Sequence, residues 1–304
     1  MELKKYLESR LSRLGSIQKI QKIQGEASNR VFFRIYFAKY SLVAMVYPAE
    51  NKDETERIAR FTNLYNQYGL KVPGIKEIID HRIILEDDLG DMSIQKAFLR
   101  SRGEERKKAL EKIAGMVMQL SHIPVENTAA VLDTARMKWE MDFFITHFAG
   151  NFCRPQINLE ELRQTLHAVV ETIGPVNTFA HRDFHSRNML YYNDDIYLVD
   201  YQDSLRAPVF YDLVSFAFDA YLDLKSLRPF LMDSLRSSGM CIDEEQFFLT
   251  ALQRNIKALG TFGFQVTVKK NLTYKKYISR TIRHILNNPM FARLKNTLNW
   301  NIIV

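Results

Sequence analysis

The chain has 304 residues, 46% of them hydrophobic and 25% charged, with a net charge of +7. This composition supports a sizeable core, in one large domain or two lobes, and excludes global disorder. Two cysteines, Cys153 and Cys241, exclude a disulfide framework and a CxxC metal pair, and they fit a reducing compartment. The first fifteen residues carry charges throughout and lack the apolar stretch of a signal peptide. No uncharged apolar run approaches membrane-spanning length. The expected location is cytoplasmic, with no membrane partner.

The charge is unevenly placed. Residues 251–304 contain no Asp or Glu and ten Lys or Arg, which leaves the first 250 residues at a net −3. Such a segment suits an anionic partner, but a solvated helical surface is the commoner meaning of a charge run. No reading helix or RNA motif accompanies it, so nucleic acid is not an expected partner.

In chain order, Leu3, Tyr6, Leu7, Leu11 and Leu14 follow helical spacing, and Gly15 ends the segment. Three β-like stretches follow, at Ile17–Ile23, Val31–Phe37 and Leu42–Tyr47, with a small polar loop at Gly25–Asn29. Lys52–Tyr68 reads as a helix closed by Gly69. Ile75–Ile79 and Arg82–Glu86 read as a strand pair joined at Asp80-His81. Together these make a small α+β lobe. After Ser93 the pattern is helical: Glu104–Ile123, Met137–Phe148, Leu159–Ile173, Tyr211–Leu222, Asp243–Leu259 and Tyr274–Leu286. One β island, Met189–Val199, interrupts it. The change of character at Asp88-Leu89-Gly90 predicts a boundary, with lobes at 1–88 and 89–304.

The informative stretch is His181-Arg182-Asp183-Phe184-His185-Ser186-Arg187-Asn188, followed by Ile196-Tyr197-Leu198-Val199-Asp200. Phosphoryl transfer needs a carboxylate to orient the attacking hydroxyl and oxygen ligands to hold Mg²⁺ on the phosphates. Asp183 suits the first task; Asn188 and Asp200 suit the second. A hairpin centred on Asp194 places Asn188 opposite Asp200, with Cβ atoms roughly 5 Å apart. ATP and Mg²⁺ are therefore the expected cofactors.

At these residues the sequence resembles the kinase-like fold, and more closely the aminoglycoside phosphotransferase and choline kinase-like superfamily. His185, two residues after the aspartate, and Pro208-Val209-Phe210-Tyr211-Asp212-Leu213 match motifs of that superfamily. The resemblance makes Asp212 a brace for the catalytic loop. It implies a bilobal α+β protein-kinase-like fold: a small antiparallel sheet with one helix, then a larger, mainly helical lobe carrying the catalytic hairpin.

An ordered series narrows the match: Gly25-Glu26-Ala27-Ser28, Phe33-Arg34, Leu42-Val43-Ala44-Met45, Asp87-Asp88-Leu89-Gly90-Asp91, Asp200-Tyr201-Gln202-Asp203 and Leu252 to Gly260. It is similar to the anomeric N-acetylmuramate/N-acetylglucosamine kinases of bacterial cell-wall recycling. The reaction so implied is phosphorylation of a sugar C1 hydroxyl. An amino sugar and ATP are then the only partners, with no obligate protein partner. Alternatives are a kinase of another small alcohol (an aminoglycoside, choline, homoserine or a nucleoside) and a pseudokinase.

Many relatives place a lysine on the third strand to hold phosphates, and Leu42–Tyr47 has none. Arg34, helped by the backbone of the loop bearing Gly25 and Ser28, is the expected substitute. The alternative for Arg34 is an ion pair. Asp87 and Asp88 are expected where backbone groups meet adenine. His185, Arg187, Asp203 and Arg206 are candidates for acceptor binding, beside Gln202. Trp139 and Tyr274 offer sugar-stacking rings, though aromatics at helical spacing are more often core. His81, His122, His147 and His284 show no metal-ligand spacing.

Overall fold

In a computed structural model describing residues 2–23, 30–153 and 158–294, the elements follow this order. They are α1 (Glu2–Leu11), β1 (Lys19–Ile23), β2 (Val31–Tyr36), β3 (Ser41–Val46), α2 (Lys52–Gln67), β4 (Ile75–Ile79) and β5 (Ile83–Asp87). Then come α3 (Ile94–Arg100), α4 (Gly103–Ser121), α5 (Thr134–Phe144), α6 (Leu159–Glu171), β6 (Val176–Ala180), β7 (Met189–Tyr192), β8 (Asp195–Leu198) and β9 (Leu205–Pro208). Helices α7 (Tyr211–Ala217), α8 (Arg228–Ser237), α9 (Glu244–Thr267) and α10 (Lys275–Leu286) follow. The chain divides into two compact units. One is Met1–Met92 with Leu190–Gln202; the other is Ser93–Met189 with Asp203–Val304.

The first unit holds a five-stranded antiparallel sheet in the order β1-β2-β3-β5-β4. Strand alternation sorts its faces. Phe33, Ile35, Leu42, Ala44, Val46, Ile83 and Leu85 form one buried cluster with Leu7 and Leu11 of α1. The pairs Phe32–Met45, Arg34–Val43, Met45–Ile84 and Val43–Glu86 lie on the opposite face. That face therefore mixes apolar side chains with a buried arginine and a buried glutamate.

The boundary falls at Met92, four residues beyond the expected one, and the β7–β8 hairpin groups with the first unit. Its ties there are concrete. Tyr191 N donates to Met92 O at 2.7 Å, and Leu198 N donates to Lys71 O at 2.8 Å. The hydroxyls of Tyr201 and Thr62 bond at 2.7 Å. Lys71 pairs with Asp195.

The hairpin register also differs from expectation. The strands are separated by two residues, Asn193 and Asp194, with φ of 47° and 60°. Two positive φ values make a type I′ turn, which pairs Tyr192 with Asp195. That register is one residue tighter than a hairpin centred on Asp194. Asp200 itself has φ 66° and has left the strand conformation. Strand alternation therefore does not carry the pairing of Asn188 with Asp200.

In the second unit, α5, α6, α9 and α10 enclose the main apolar cluster, including Phe144, Phe148, Leu252, Ile256, Leu259 and Ile282. Helix α9 runs to Thr267, although the sequence pattern ends at Leu259 before Gly260. A Cβ at Gly260 lies 2.8 Å from Phe144 Cα, and one at Gly263 lies 2.5 Å from His147 O. These glycines let α9 approach α5 and the π-helical turns Ile145–Cys153 that continue it. They are close-approach positions inside a helix. Strands β6 and β9, which the sequence pattern misses, pair as a two-stranded ribbon. Helix α8 was likewise not expected.

Candidate active site

The loop from His181 to Asn188 leaves β6 and enters β7. Two buried carboxylates fix it. Asp212, at the start of α7, accepts from His181 N at 2.6 Å and Arg182 N at 3.0 Å. Asp219 accepts from Ser186 N at 2.7 Å and from Tyr221 N at 2.6 Å. Asp212 thus braces the loop, as the Tyr211-Asp212-Leu213 motif implied. Burial pushes its carboxyl up to about 7 against the pull of the two backbone bonds. Arg182, held by this brace, has φ 79°, a conformation that costs a non-glycine residue ~1–3 kcal/mol.

Asp183 is presented by this braced loop. Arg254 Nη2 and Lys257 Nζ of α9 each lie 3.6 Å from its Oδ1. Burial alone raises the Asp183 carboxyl; Lys257 and Arg254 overcome it and hold the group well below the usual carboxylate range. A cavity of about 70 Å³ opens beside it, lined by Asp183, His185, Tyr221, Arg254, Lys257 and Thr261 among others. The His185 ring packs on Tyr221 with centroids 4.9 Å apart. Asn188 Nδ2 donates to Asp183 O at 3.0 Å. That bond uses the amide nitrogen of Asn188 and not its amide oxygen.

Of the four residues expected to bind the acceptor, only His185 lines this cavity. Arg187 stacks over the Tyr221 ring at 4.7 Å. Asp203 lies within electrostatic reach of Arg182. Arg206 sits in β9 opposite Phe179. Trp139 is 61% exposed against Phe143, and Tyr274 is buried, so the two rings are not alike. The basic C-terminal segment divides as well. Lys269, Lys270, Lys275, Lys276 and Arg283 are exposed, whereas Arg254 and Lys257 line the cavity. Sequence reading singled out neither of these two; their i, i+3 spacing within Leu252–Gly260 was the available signal.

In the first unit, Gly25 and Ser28 lie outside the described residues. Arg34 is not a free cation for phosphate. Its Nη1 and Nη2 bond both oxygens of Asp91, at 2.9 and 3.0 Å, and its Nε lies 2.7 Å from Asp88. Asp88 also accepts from Ser41 Oγ at 2.6 Å. Asp87 pairs with Lys76 at 2.7 Å. These side chains are thus held in ion pairs around the end of β5. A different arginine reaches the aspartate expected to bind metal. Arg30 Nη2 lies 3.0 Å from Asp200 Oδ1, and its Nη1 contacts Met45 Sδ at 3.7 Å. Gln202 Nε2 donates to the same Asp200 oxygen at 2.9 Å. Buried Glu86, on the sheet face that carries Met45, has its carboxyl pushed up to about 8 by burial, with Arg30 opposing.

The profile of the phosphotransferase enzyme family (APH) matches residues 19–242. The chain belongs to that family. The expected enzyme class, a phosphotransferase with an alcohol group as acceptor, stands with it, and so does the α+β protein-kinase-like fold. The N-acetylmuramate/N-acetylglucosamine kinase of Neisseria meningitidis serogroup B is 24% identical over 299 residues, covering 88% of this chain and 87% of that protein. The Pseudomonas aeruginosa kinase of the same name is 22% identical, covering 78% and 74%. Spectinomycin phosphotransferase APH(9)-Ia, solved with ADP and spectinomycin, superposes with a TM-score of 0.65 at 14% identity, covering 92% of each chain. Among the described residues no helix is long and apolar enough to cross a membrane.

Proposed function

We propose that this phosphotransferase is an ATP-dependent kinase of the anomeric hydroxyl of N-acetylmuramate or N-acetylglucosamine, acting in the cytoplasm in cell-wall recycling. The observation that carries the kinase chemistry is Asp183. It is a carboxylate on a doubly braced loop, beside a cavity lined by His185 and two cations. The two relatives named for this activity, each aligned over most of the chain, support the choice of sugar.

Asp183 accepts a hydrogen bond from the acceptor hydroxyl and aims its oxygen at the γ-phosphorus of ATP, which positioning alone can accelerate strongly. As the new O–P bond forms, the bond from phosphorus to the β–γ bridging oxygen breaks. The electron pair leaves with ADP, and the proton passes to Asp183. An anomeric hydroxyl is more acidic than an ordinary alcohol and tolerates a base as weak as this one. Asp200 and the amide oxygen of Asn188 are the residues that would hold Mg²⁺; hard oxygen donors suit a cation that would also bind phosphate oxygens and water. When bound, that ion neutralises charge on the phosphates. Arg30 is the counter-charge of Asp200. The apolar side chains Val43, Met45 and Ile84 offer adenine a surface, with backbone groups near Asp87 and Asp88 at its edge.

ATP consumption measured against amino sugars, aminoglycosides and amino alcohols, with product regiochemistry read by NMR, tests this. N-acetylmuramate and N-acetylglucosamine are expected to give α-1-phosphates, and the 1-O-methyl glycosides to remain unreacted. Equal phosphorylation of a methyl glycoside moves the chemistry to another hydroxyl and overturns the anomeric assignment.

A further inference from the structure

Two cations converge on one oxygen of Asp183, and the fold holds both firmly. Arg254 and Lys257, three residues apart on α9, share a helix face. Their side chains are only 12% and 16% exposed. Arg254 Nε donates to Ser215 Oγ of α7 at 3.0 Å. The neighbouring Gln253 donates to Glu140 of α5 at 2.8 Å. Gly260 and Gly263 set how closely α9 lies on α5. The cations therefore stand on a rigid helix whose position is fixed along its length.

This arrangement is poor as a stability device. At 3.6 Å neither cation is in hydrogen-bond contact with Asp183. Two buried cations stand against Asp183, with buried Glu140 also within electrostatic reach of both. Asp219, the other acid lining the cavity, spends both oxygens on backbone N–H groups. Gln253 donates to Glu140. Both cations line the cavity beside the group that orients the attacking oxygen, and a phosphoryl group must arrive at that oxygen.

We infer that Lys257 and Arg254 are catalytic residues that bind the oxygens of the phosphoryl group during transfer. The inference rests on the kinase reading above. An acceptor oxygen held roughly 2.6–3.2 Å from Asp183 receives its phosphoryl group beside the carboxylate that both cations flank at 3.6 Å. Bonds break and form as already described: the acceptor oxygen gains phosphorus, ADP leaves with the bridging electron pair, and Asp183 receives the proton. Throughout, the equatorial oxygens carry negative charge, and preorganised cations aimed at that charge need no reorganisation.

Lys257→Met tests this, because Met fills similar volume and Arg254 remains as a counter-charge to Asp183. Thermal melting checks that the fold is intact. We expect kcat to fall roughly 10²-fold or more, with KM for ATP and for acceptor changed less than about threefold. Lys257→Arg should recover part of the loss. ADP with aluminium fluoride and acceptor, which mimics the group in transfer, should bind the variant weaker by a similar factor, while ADP alone binds equally. An unchanged kcat overturns the inference. So does a raised KM for acceptor at constant kcat, which makes the pair a reader of an acceptor carboxylate. Wild-type protein that transfers phosphate to no acceptor removes the kinase reading and this inference together; an active wild type with an equally active variant removes only the inference.

Discussion

Asp183→Asn removes the counter-charge shared by Arg254 and Lys257, so it should weaken the fold as well as end catalysis. Each cation lies 3.6 Å from Oδ1. At an effective dielectric near 20, a pair at that separation attracts by ~4–5 kcal/mol before desolvation is subtracted. Removing one partner of a buried pair typically costs ~3–5 kcal/mol. The Asp183 side chain is 31% exposed, which favours the lower end, about 3 kcal/mol. In a unit of about 200 residues that lowers Tm by roughly 6–12 °C. The pH dependence gives a sharper sign. Asp183 is a depressed carboxyl, so its stabilisation is present above its unfolded value of 3.8 and is lost as pH falls below it. The Tm difference between wild type and variant should therefore be largest near neutrality and shrink below pH 3.8. Calorimetry from pH 3 to 7 measures this, with kcat expected to fall roughly 10²-fold or more in parallel. Equal melting temperatures at pH 7, or a difference that persists unchanged into acid, refute the charge argument; a near-wild-type kcat refutes the role of Asp183.

Asp200→Ala should weaken Mg-ATP binding far more than acceptor binding, since it removes a hard oxygen ligand from a site with few others; titration calorimetry with each ligand separates the two. Glu86 is a raised carboxyl, so the folded state retains its proton longer than the unfolded chain. Stability should decline as pH rises from 4.5 to about 8 and then level off, a slope that Glu86→Gln abolishes in pH-resolved melts. Gly263→Ala places a Cβ 2.5 Å from His147 O, a backbone atom that cannot swing aside. Separation of α9 from the π-helical turns should lower stability by ~1–3 kcal/mol, read by urea unfolding; an unchanged midpoint shows that the contact relaxes freely.

The loop His181–Asn188 was legible in the sequence because its function fixes residue types at short spacing. The strands of the small sheet and the long helices were legible because apolar periodicity is a local property. The α9 pattern was read only as far as Leu259, since local reading does not show whether a glycine such as Gly260 ends a helix or lets it approach another. The Asn188–Asp200 register failed by one residue. Turn length depends on whether Asn193 and Asp194 both accept positive φ, which composition permits without requiring.

What the sequence determined alone was the family and its loop: Asp183 with its brace Asp212, the candidate oxygen ligands Asn188 and Asp200, and a third strand without a lysine. Tertiary structure decided which charges surround that chemistry. Arg34 looked available until Asp88 and Asp91 were found on its guanidinium, and Arg30 was found on Asp200. Arg254 and Lys257 looked like two of ten solvated cations, and they face Asp183 from about seventy residues away in the chain. A charge's effect depends on distance and burial, which periodicity cannot give. Only packing α9 onto α5 through Gly260 and Gly263 brings those two cations to the carboxylate.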